Sequence, residues 1–110
     1  MTNKLRFQGD LMIRRIESFP NRLIEAVAKN GVHILAHSET GHHHIVKERA
    51  AKLLIDKTNA FIAYLDVNEP CEIEHLRSFD THIPIPLTPG NYEIRRQREY
   101  VPEGFRRAAD

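Results

Sequence analysis

Three consecutive histidines, His42 to His44, are the residues of this chain whose type and spacing point most clearly to chemistry. Imidazole nitrogens bind transition metals and exchange protons near neutral pH. Because side chains alternate along a strand, His42 and His44 would share one face and His43 would lie on the other. Glu48 follows with the spacing His-x-His-x3-Glu. We therefore predict a polar site in which His42 and His44 act as a pair.

The predicted occupant of this site is a divalent transition metal. Neutral imidazoles and a carboxylate suit zinc, nickel, iron or manganese. The candidates for the remaining ligands are Glu48, His82 and His75. A bound metal would favour metal-assisted hydrolysis of an anionic, phosphate-containing substrate. No organic cofactor is predicted, and the sequence contains no glycine-rich phosphate loop.

A basic group near the end of the chain consists of Arg95, Arg96 and Arg98. On a strand, Arg96 and Arg98 would share a face with Tyr92 and Tyr100, where they could hold an anionic small molecule or a nucleotide. The competing interpretation is a solvated strand whose arginines pair with acids such as Glu93. The formal net charge of +1 argues against broad nucleic-acid binding.

The composition is that of an ordinary globular protein, with 28% charged and 41% hydrophobic residues among 110. No apolar run approaches the roughly 18 residues that a membrane span needs, and the N-terminus lacks a signal-peptide pattern. We therefore expect a cytoplasmic protein with no membrane partner. The single cysteine, Cys71, excludes an intrachain disulfide. We expect one β domain over residues 1–110, with 105–110 as a tail that frays.

Short alternating segments separated by turn residues predict an all-β fold, a small barrel or sandwich of six to eight mostly antiparallel strands. At most one short helix is expected. Residues 21–29 could form it, since Asn21 could cap its start and Asn30-Gly31 could end it, or they could form an irregular loop. Residues 60–67 should form a central strand. The two prolines in 82–87 place that segment at a sheet edge or in an extended loop.

The histidine run is predicted to lie in a β-hairpin that joins strands over 32–38 and 42–47. A three-residue loop places Ala36 opposite His44 and Ile34 opposite Val46. A two-residue loop would instead place His37 opposite His44, which gathers three histidines and makes a better metal site. The three-residue loop is favoured, because the shorter one forces a β-branched threonine toward positive φ.

The run from Gly41 to Glu48 resembles the first metal-binding motif of the cupins, small β-barrels that hold a metal through such residues. Pro89-Gly90, after an extended apolar segment, resembles the turn of their second motif. The histidine that cupins place shortly after that turn is missing, and Asn91 and Tyr92 stand there instead. The resemblance implies a metal-binding barrel whose third imidazole comes from elsewhere.

A second resemblance covers more of the chain. The segments that carry it are Gly9-Asp10, Thr40-Gly41-His42-x-His44, His82, Pro89-Gly90-x-Tyr92-Glu93-Ile94 and Gln97-Arg98-Glu99-Tyr100. Together they are similar to a group of small bacterial proteins of unassigned function. This resemblance implies one domain and the same pair of histidines, and it implies no activity.

Two other functions stay open at this point. The chain could be a non-enzymatic interaction module that docks a partner along residues 82–87 and tunes binding through the pH response of its histidines. It could also be a metal-independent phosphodiesterase or nuclease with His42 and His44 as acid and base. An exposed histidine run that binds nothing is the simplest alternative to all of these. The sequence leaves a homo-oligomer open.

Overall fold

A computed structural model describes residues 5–8, 11–36, 44–75 and 84–96. In that part of the chain the fold is all-β, with ten strands in two antiparallel sheets and no helix. The strands are β1 (Leu5–Gln8), β2 (Leu11–Ile16), β3 (Ile24–Glu25), β4 (Val32–Ala36), β5 (His44–Lys47), β6 (Ala51–Ile55), β7 (Ile62–Val67), β8 (Cys71–His75), β9 (Ile85–Leu87) and β10 (Gly90–Arg96). The predicted all-β class is confirmed, as a sandwich-like arrangement rather than a closed barrel.

The larger sheet has the strand order β1-β2-β10-β7-β6-β3, and the smaller sheet has the order β4-β5-β8-β9. The strand predicted over 60–67 is β7, which begins at Ile62 and lies inside the larger sheet. The segment with two prolines contains β9, which lies at an edge of the smaller sheet, as predicted. Pro84 and Pro86 are exposed there, where their missing N–H groups break no internal ladder.

The hydrophobic core lies between the two sheets, because alternation directs every second side chain of a strand inward. The larger sheet contributes Leu11, Ile13, Ala51, Leu53, Leu65, Val67, Tyr92 and Ile94. The smaller sheet contributes Leu35, Val46, Ile73, Ile85 and Leu87. Within the described residues no helix is long and apolar enough to cross a membrane.

Residues 21–29 do not form the helix that was one of the two expectations. Ile24 and Glu25 form β3 and pair with β6, and the N–H of Ala26 donates to the carbonyl oxygen of Leu53. Asn30 and Gly31, read as a helix stop, have φ of 54° and 80°. Positive φ at both central residues is what a type I′ hairpin turn requires, and Asn-Gly is the preferred pair for it. The extended chain on either side is therefore part of a β structure.

The β4–β5 hairpin has Ala36 opposite His44, as the three-residue loop predicted, and the register that pairs His37 with His44 is wrong. The pairing then shifts by one residue, so that Ile34 lies opposite Ile45 rather than the predicted Val46. The extra residue is Leu35, which is buried in the core. Such a bulge inserts one residue into one strand of the pair. The loop itself, residues 37–43, lies outside the described residues.

Candidate functional site

His44 is the first residue of β5, and its imidazole joins the two sheets. The ring is 3% exposed, and its Nδ1 lies 2.8 Å from Oε1 of Gln8. Gln8 is the last residue of β1, in the other sheet, and is 2% exposed. Its Nε2 donates a hydrogen bond of 2.9 Å to the carbonyl oxygen of Ile73 in β8. A chain of two buried hydrogen bonds therefore links β5, β1 and β8.

The hydrogen bond to Ile73 also fixes the tautomer of His44. A carbonyl oxygen only accepts, so the Gln8 amide must present its NH₂ group to Ile73 and its oxygen to the imidazole. Nδ1 of His44 must then be the donor. In the neutral ring the lone pair is consequently on Nε2, which is the nitrogen with the chemistry of a metal ligand or a general base.

Two other predicted site residues lie at the same end of the sandwich. The backbone register places His75 of β8 directly opposite His44. In the larger sheet, Gln8 lies opposite Leu11, and Leu11 lies opposite Arg96. Arg96 is thus two strands from Gln8 in the same cross-strand row, a separation of about 10 Å at the usual strand spacing. The register brings His44, His75 and Arg96 to one end of the fold.

Three of the predicted site residues, His42, His82 and Arg98, lie outside the described residues. His42 precedes His44 by two positions in the sequence.

Glu48 lies at the other end of the β4–β5 hairpin, about 13 Å along the chain from His44 at the rise of a strand. Its N–H donates to the carbonyl oxygen of Gly31. The side chain that it influences electrostatically is His33, which is 4% exposed and whose Nδ1 has no hydrogen-bond partner. Burial lowers the pKa of His33, while Glu48 and Glu25 oppose that shift. Among the described residues no group of three or more His, Cys, Asp or Glu side chains is placed to hold a metal.

Arg14 and Arg95 form ion pairs with a buried carboxylate. Glu93 of β10 has a 6% exposed side chain, and it lies 2.6 Å from Arg14 and 3.2 Å from Arg95. The competing interpretation predicted pairing with Glu93, and Arg95 pairs in that way. The same interpretation expected a solvent-exposed strand, and this part is wrong at Glu93, which is nearly enclosed. Arg95 lies on the face opposite to that of Arg96, so the basic group is divided between two faces.

The sequence did not predict the contact of Gln8 with His44, and it did not predict that His33 is buried. Gln8 is a polar residue at the end of a four-residue strand, and only the register between distant strands shows that it faces His44. The signal for His33 was present, since Asn30-Gly31 indicates a tight hairpin that places the following residues in a strand. Alternation in that strand would then have placed His33 and Leu35 on one face.

The fold and this end of it define a small all-β sandwich with a buried histidine that joins its sheets. Residues 7–97 match the family model described as Domain of unknown function (DUF8820), and the chain belongs to that family. The matched span contains β2 to β10 and the last two residues of β1, and it includes Gln8, His44, His75 and Arg96. No curated protein and no solved structure matches the chain.

Proposed function

We propose that this protein binds a divalent transition-metal ion at the end of the sandwich marked by His44, with Nε2 of His44 as the first ligand. The supporting observation is the hydrogen bond from Nδ1 of His44 to Gln8. A metal-binding histidine usually donates its other ring N–H to an oxygen, which fixes the tautomer and orients the ring. Gln8 is itself held by Ile73, so the imidazole is positioned by two buried contacts.

The remaining proposed ligands are also histidines. His42, His82 and His75 are the candidates: His75 lies opposite His44 in the backbone register, His42 precedes His44 by two positions, and His82 is the remaining histidine of the sequence prediction. Imidazole ligands suit zinc, nickel and iron, and manganese, which prefers oxygen ligands, is the least favoured of the predicted metals. Glu48 becomes the least favoured ligand, since its described neighbour is His33. The cupin-like spacing therefore supports His42 and His44 better than it supports Glu48.

A metal ion held here would supply Lewis-acid catalysis, which suits hydrolysis of an anionic, phosphate-containing substrate. Arg96 lies in the same cross-strand row as Gln8, and Arg98 follows it by two residues. A guanidinium binds phosphate through two parallel hydrogen bonds, so these arginines are the proposed anion-binding groups. Their role is to hold and orient the substrate beside the histidines.

Metal binding is tested by titrating untagged protein with Zn²⁺, Ni²⁺, Fe²⁺ and Mn²⁺ separately, using calorimetry and elemental analysis. We expect about one ion per chain for at least one metal, and an affinity at least tenfold lower in His44→Gln, because one ligand is lost. His33→Gln is the matched control, since it removes a second buried histidine from the same hairpin. It should bind as the wild type does.

Two results would contradict the proposal. One is the absence of stoichiometric binding of every metal to folded wild-type protein. The other is equal affinity in the wild type and in His44→Gln, with circular dichroism showing that both are folded. If hydrolysis of a phosphodiester survives a chelator, the metal-independent mechanism with His42 and His44 replaces this one.

The interaction-module alternative receives less support from the edge strand β9. Pro84 and Pro86 have no N–H group to offer an added strand. The carbonyl oxygen of Pro86 already accepts a hydrogen bond of 2.9 Å from Nη1 of Arg6. A partner strand would therefore find few backbone groups to pair with along this edge.

A further inference from the structure

The tight turn that leads into β4 consists of Asn30 and Gly31, and both residues are exposed. It is closed by hydrogen bonds in both directions between Lys29 and Val32: the N–H of Lys29 donates at 2.9 Å and the N–H of Val32 donates at 3.2 Å. Asn-Gly is the preferred pair for such a turn. It is also the pair in which asparagine most readily loses its side-chain amide, because glycine has no Cβ to shield the backbone nitrogen that attacks it.

Nothing within the described residues restrains the two groups that would react. The side-chain amide of Asn30 makes no hydrogen bond there, and neither does the backbone N–H of Gly31. An added Cβ at Gly31 would meet no atom within 4 Å, so the space beside this residue is open. Two other asparagines are held, since Nδ2 of Asn91 donates to a backbone carbonyl oxygen and Oδ1 of Asn59 accepts from a backbone N–H. The amide of Asn30 is therefore free to turn toward the main chain.

The reaction is an intramolecular substitution at the side chain of Asn30. The backbone nitrogen of Gly31 loses its proton to solvent and attacks Cγ of Asn30. The bond from Cγ to Nδ2 breaks, and ammonia leaves with a proton taken from solvent, which produces a cyclic succinimide. Water then opens the ring and returns a proton to the nitrogen. Attack of water at Cγ gives aspartate, and attack at the backbone carbonyl carbon gives isoaspartate, whose main chain runs through Cβ and Cγ.

The folded turn slows this reaction. Asn30 has a φ of 54°, and in this left-handed conformation the nitrogen of Gly31 points away from the side-chain amide, across the Cα–C bond. Rotation about that bond brings the nitrogen to Cγ but breaks the pairing of Lys29 with Val32. The reaction therefore proceeds from a locally opened turn, a state that costs far less free energy than opening of the core strands.

We propose that Asn30 is a site of spontaneous deamidation through a succinimide with the backbone nitrogen of Gly31, and that the isoaspartyl product loosens the start of β4. Isoaspartate lengthens the main chain of a tight turn, which then cannot keep its closing hydrogen bonds. The carbonyl oxygen of Gly31 also leaves the position in which it accepts a hydrogen bond of 2.9 Å from the N–H of Glu48. Aspartate keeps the normal main chain, and Asp-Gly favours the same turn. The two products should therefore differ in stability although they carry the same charge.

This modification is separate from the metal binding proposed at His44. The turn and His44 lie at opposite ends of β4 and β5, since the carbonyl oxygen of Gly31 contacts Glu48, which follows β5. The experiments use metal-free protein, so their outcome does not depend on whether the metal site exists.

The first test is incubation of untagged protein at mildly alkaline pH, followed by cleavage after glutamate and mass spectrometry of peptide 26–39, in which Asn30 is the sole asparagine. Aspartate and isoaspartate should accumulate at Asn30 in the folded protein, while Asn59 and Asn91 stay unmodified. Conversion should be at least about tenfold faster in urea, because the folded turn must first lose its closing hydrogen bonds. In urea, where the fold plays no part, Gly31→Ala should slow conversion because its methyl group shields the nitrogen.

The second test compares the two products after chromatographic separation of the intact protein. Asn30→Asp is the matched control, because it has the charge of both products and the main chain of only one. It should unfold at the same urea concentration as the wild type, and the isoaspartyl form should unfold at a lower one. Hydrogen exchange of the backbone amides of Val32 and His33 should be faster in the isoaspartyl form than in Asn30→Asp.

Four results would overturn the proposal. One is an intact Asn30 in folded protein after many half-times of conversion in urea. Another is conversion of Asn59 or Asn91 in the folded protein as fast as that of Asn30. A third is conversion of Gly31→Ala in urea at the wild-type rate, which would exclude this nitrogen as the nucleophile. The last is equal stability of the isoaspartyl form and Asn30→Asp.

Discussion

The substitution Gly90→Ala gives the most quantitative test of how the larger sheet is held. Gly90 begins β10 with φ of 155°, and an added Cβ would overlap Nη2 of Arg15 and lie 2.8 Å from its Cζ. That guanidinium holds the preceding turn. It donates to Oγ1 of Thr88 at 3.0 Å, to the carbonyl oxygen of Pro89 at 2.6 Å and to the hydroxyl of Tyr92 at 3.2 Å.

The expected loss of folding stability in Gly90→Ala has two parts. A side chain at positive φ costs about 1–2 kcal/mol. Displacing the guanidinium of Arg15 loses hydrogen bonds that are exposed or half-buried, which adds about 1–2 kcal/mol. Gly90→Ala should therefore lower the free energy of unfolding by about 2–4 kcal/mol. Gly31→Ala is the matched control, because Gly31 has φ of 80° and no atom within 4 Å of an added Cβ. It should cost only the backbone part.

The assay is urea denaturation of both single variants, Arg15→Ala and the double variant Arg15→Ala/Gly90→Ala. Once Arg15 is truncated, the added methyl group meets no guanidinium, so the two costs should overlap by about 1–2 kcal/mol. The reasoning is refuted if Gly90→Ala costs no more than Gly31→Ala. It is also refuted if the costs of Arg15→Ala and Gly90→Ala add in full.

Three further predictions concern buried polar side chains. Gln8→Leu should weaken metal binding about 10- to 100-fold in the calorimetric titration, and unchanged affinity would exclude Gln8 as the orienting group. Because burial lowers the pKa of His33, stability should fall as the pH drops below about 6.5 and level off below the folded-state pKa. The pH dependence of stability should be smaller in His33→Leu, and an identical profile would contradict this cause. Glu93→Gln should cost about 1–3 kcal/mol, since Arg14 and Arg95 lose a buried partner. Glu69→Gln, which breaks an exposed pair of 3.8 Å, should change stability by less than about 0.5 kcal/mol in the same denaturation assay.

Local patterns predicted much of this fold. Period-two alternation located most strands, and the prolines of 84–86 indicated an edge because proline cannot donate to a ladder. Turn geometry at the histidine hairpin gave the pairing of Ala36 with His44. Each of these inferences depends on residues within a few positions of one another, which is the range over which backbone preferences act.

The features that escaped prediction depend on residues far apart in the sequence. The bulge at Leu35 is fixed by packing between the sheets, and no residue type in 34–36 requires it. Asn30-Gly31 was misread because a helix stop and a type I′ turn favour the same residues. The pairing of Gln8 with His44 spans 36 positions. No local pattern connects residues at that separation, so the contact between Gln8 and His44 could be found only from the structure.

The position of β10 has a consequence for how the chain is made. Its residues, Gly90–Arg96, fill the gap between β2 and β7, although β2 is synthesised well before them. At about 5–20 residues per second, roughly 80 residues of synthesis separate β2 from its neighbour, which takes about 4–16 s. During that interval β2 presents an unpaired edge that another chain could join, and β7 presents a second one once it has been made. Newly made chains should therefore aggregate most readily before the ribosome has completed β10, when a chaperone would protect them most.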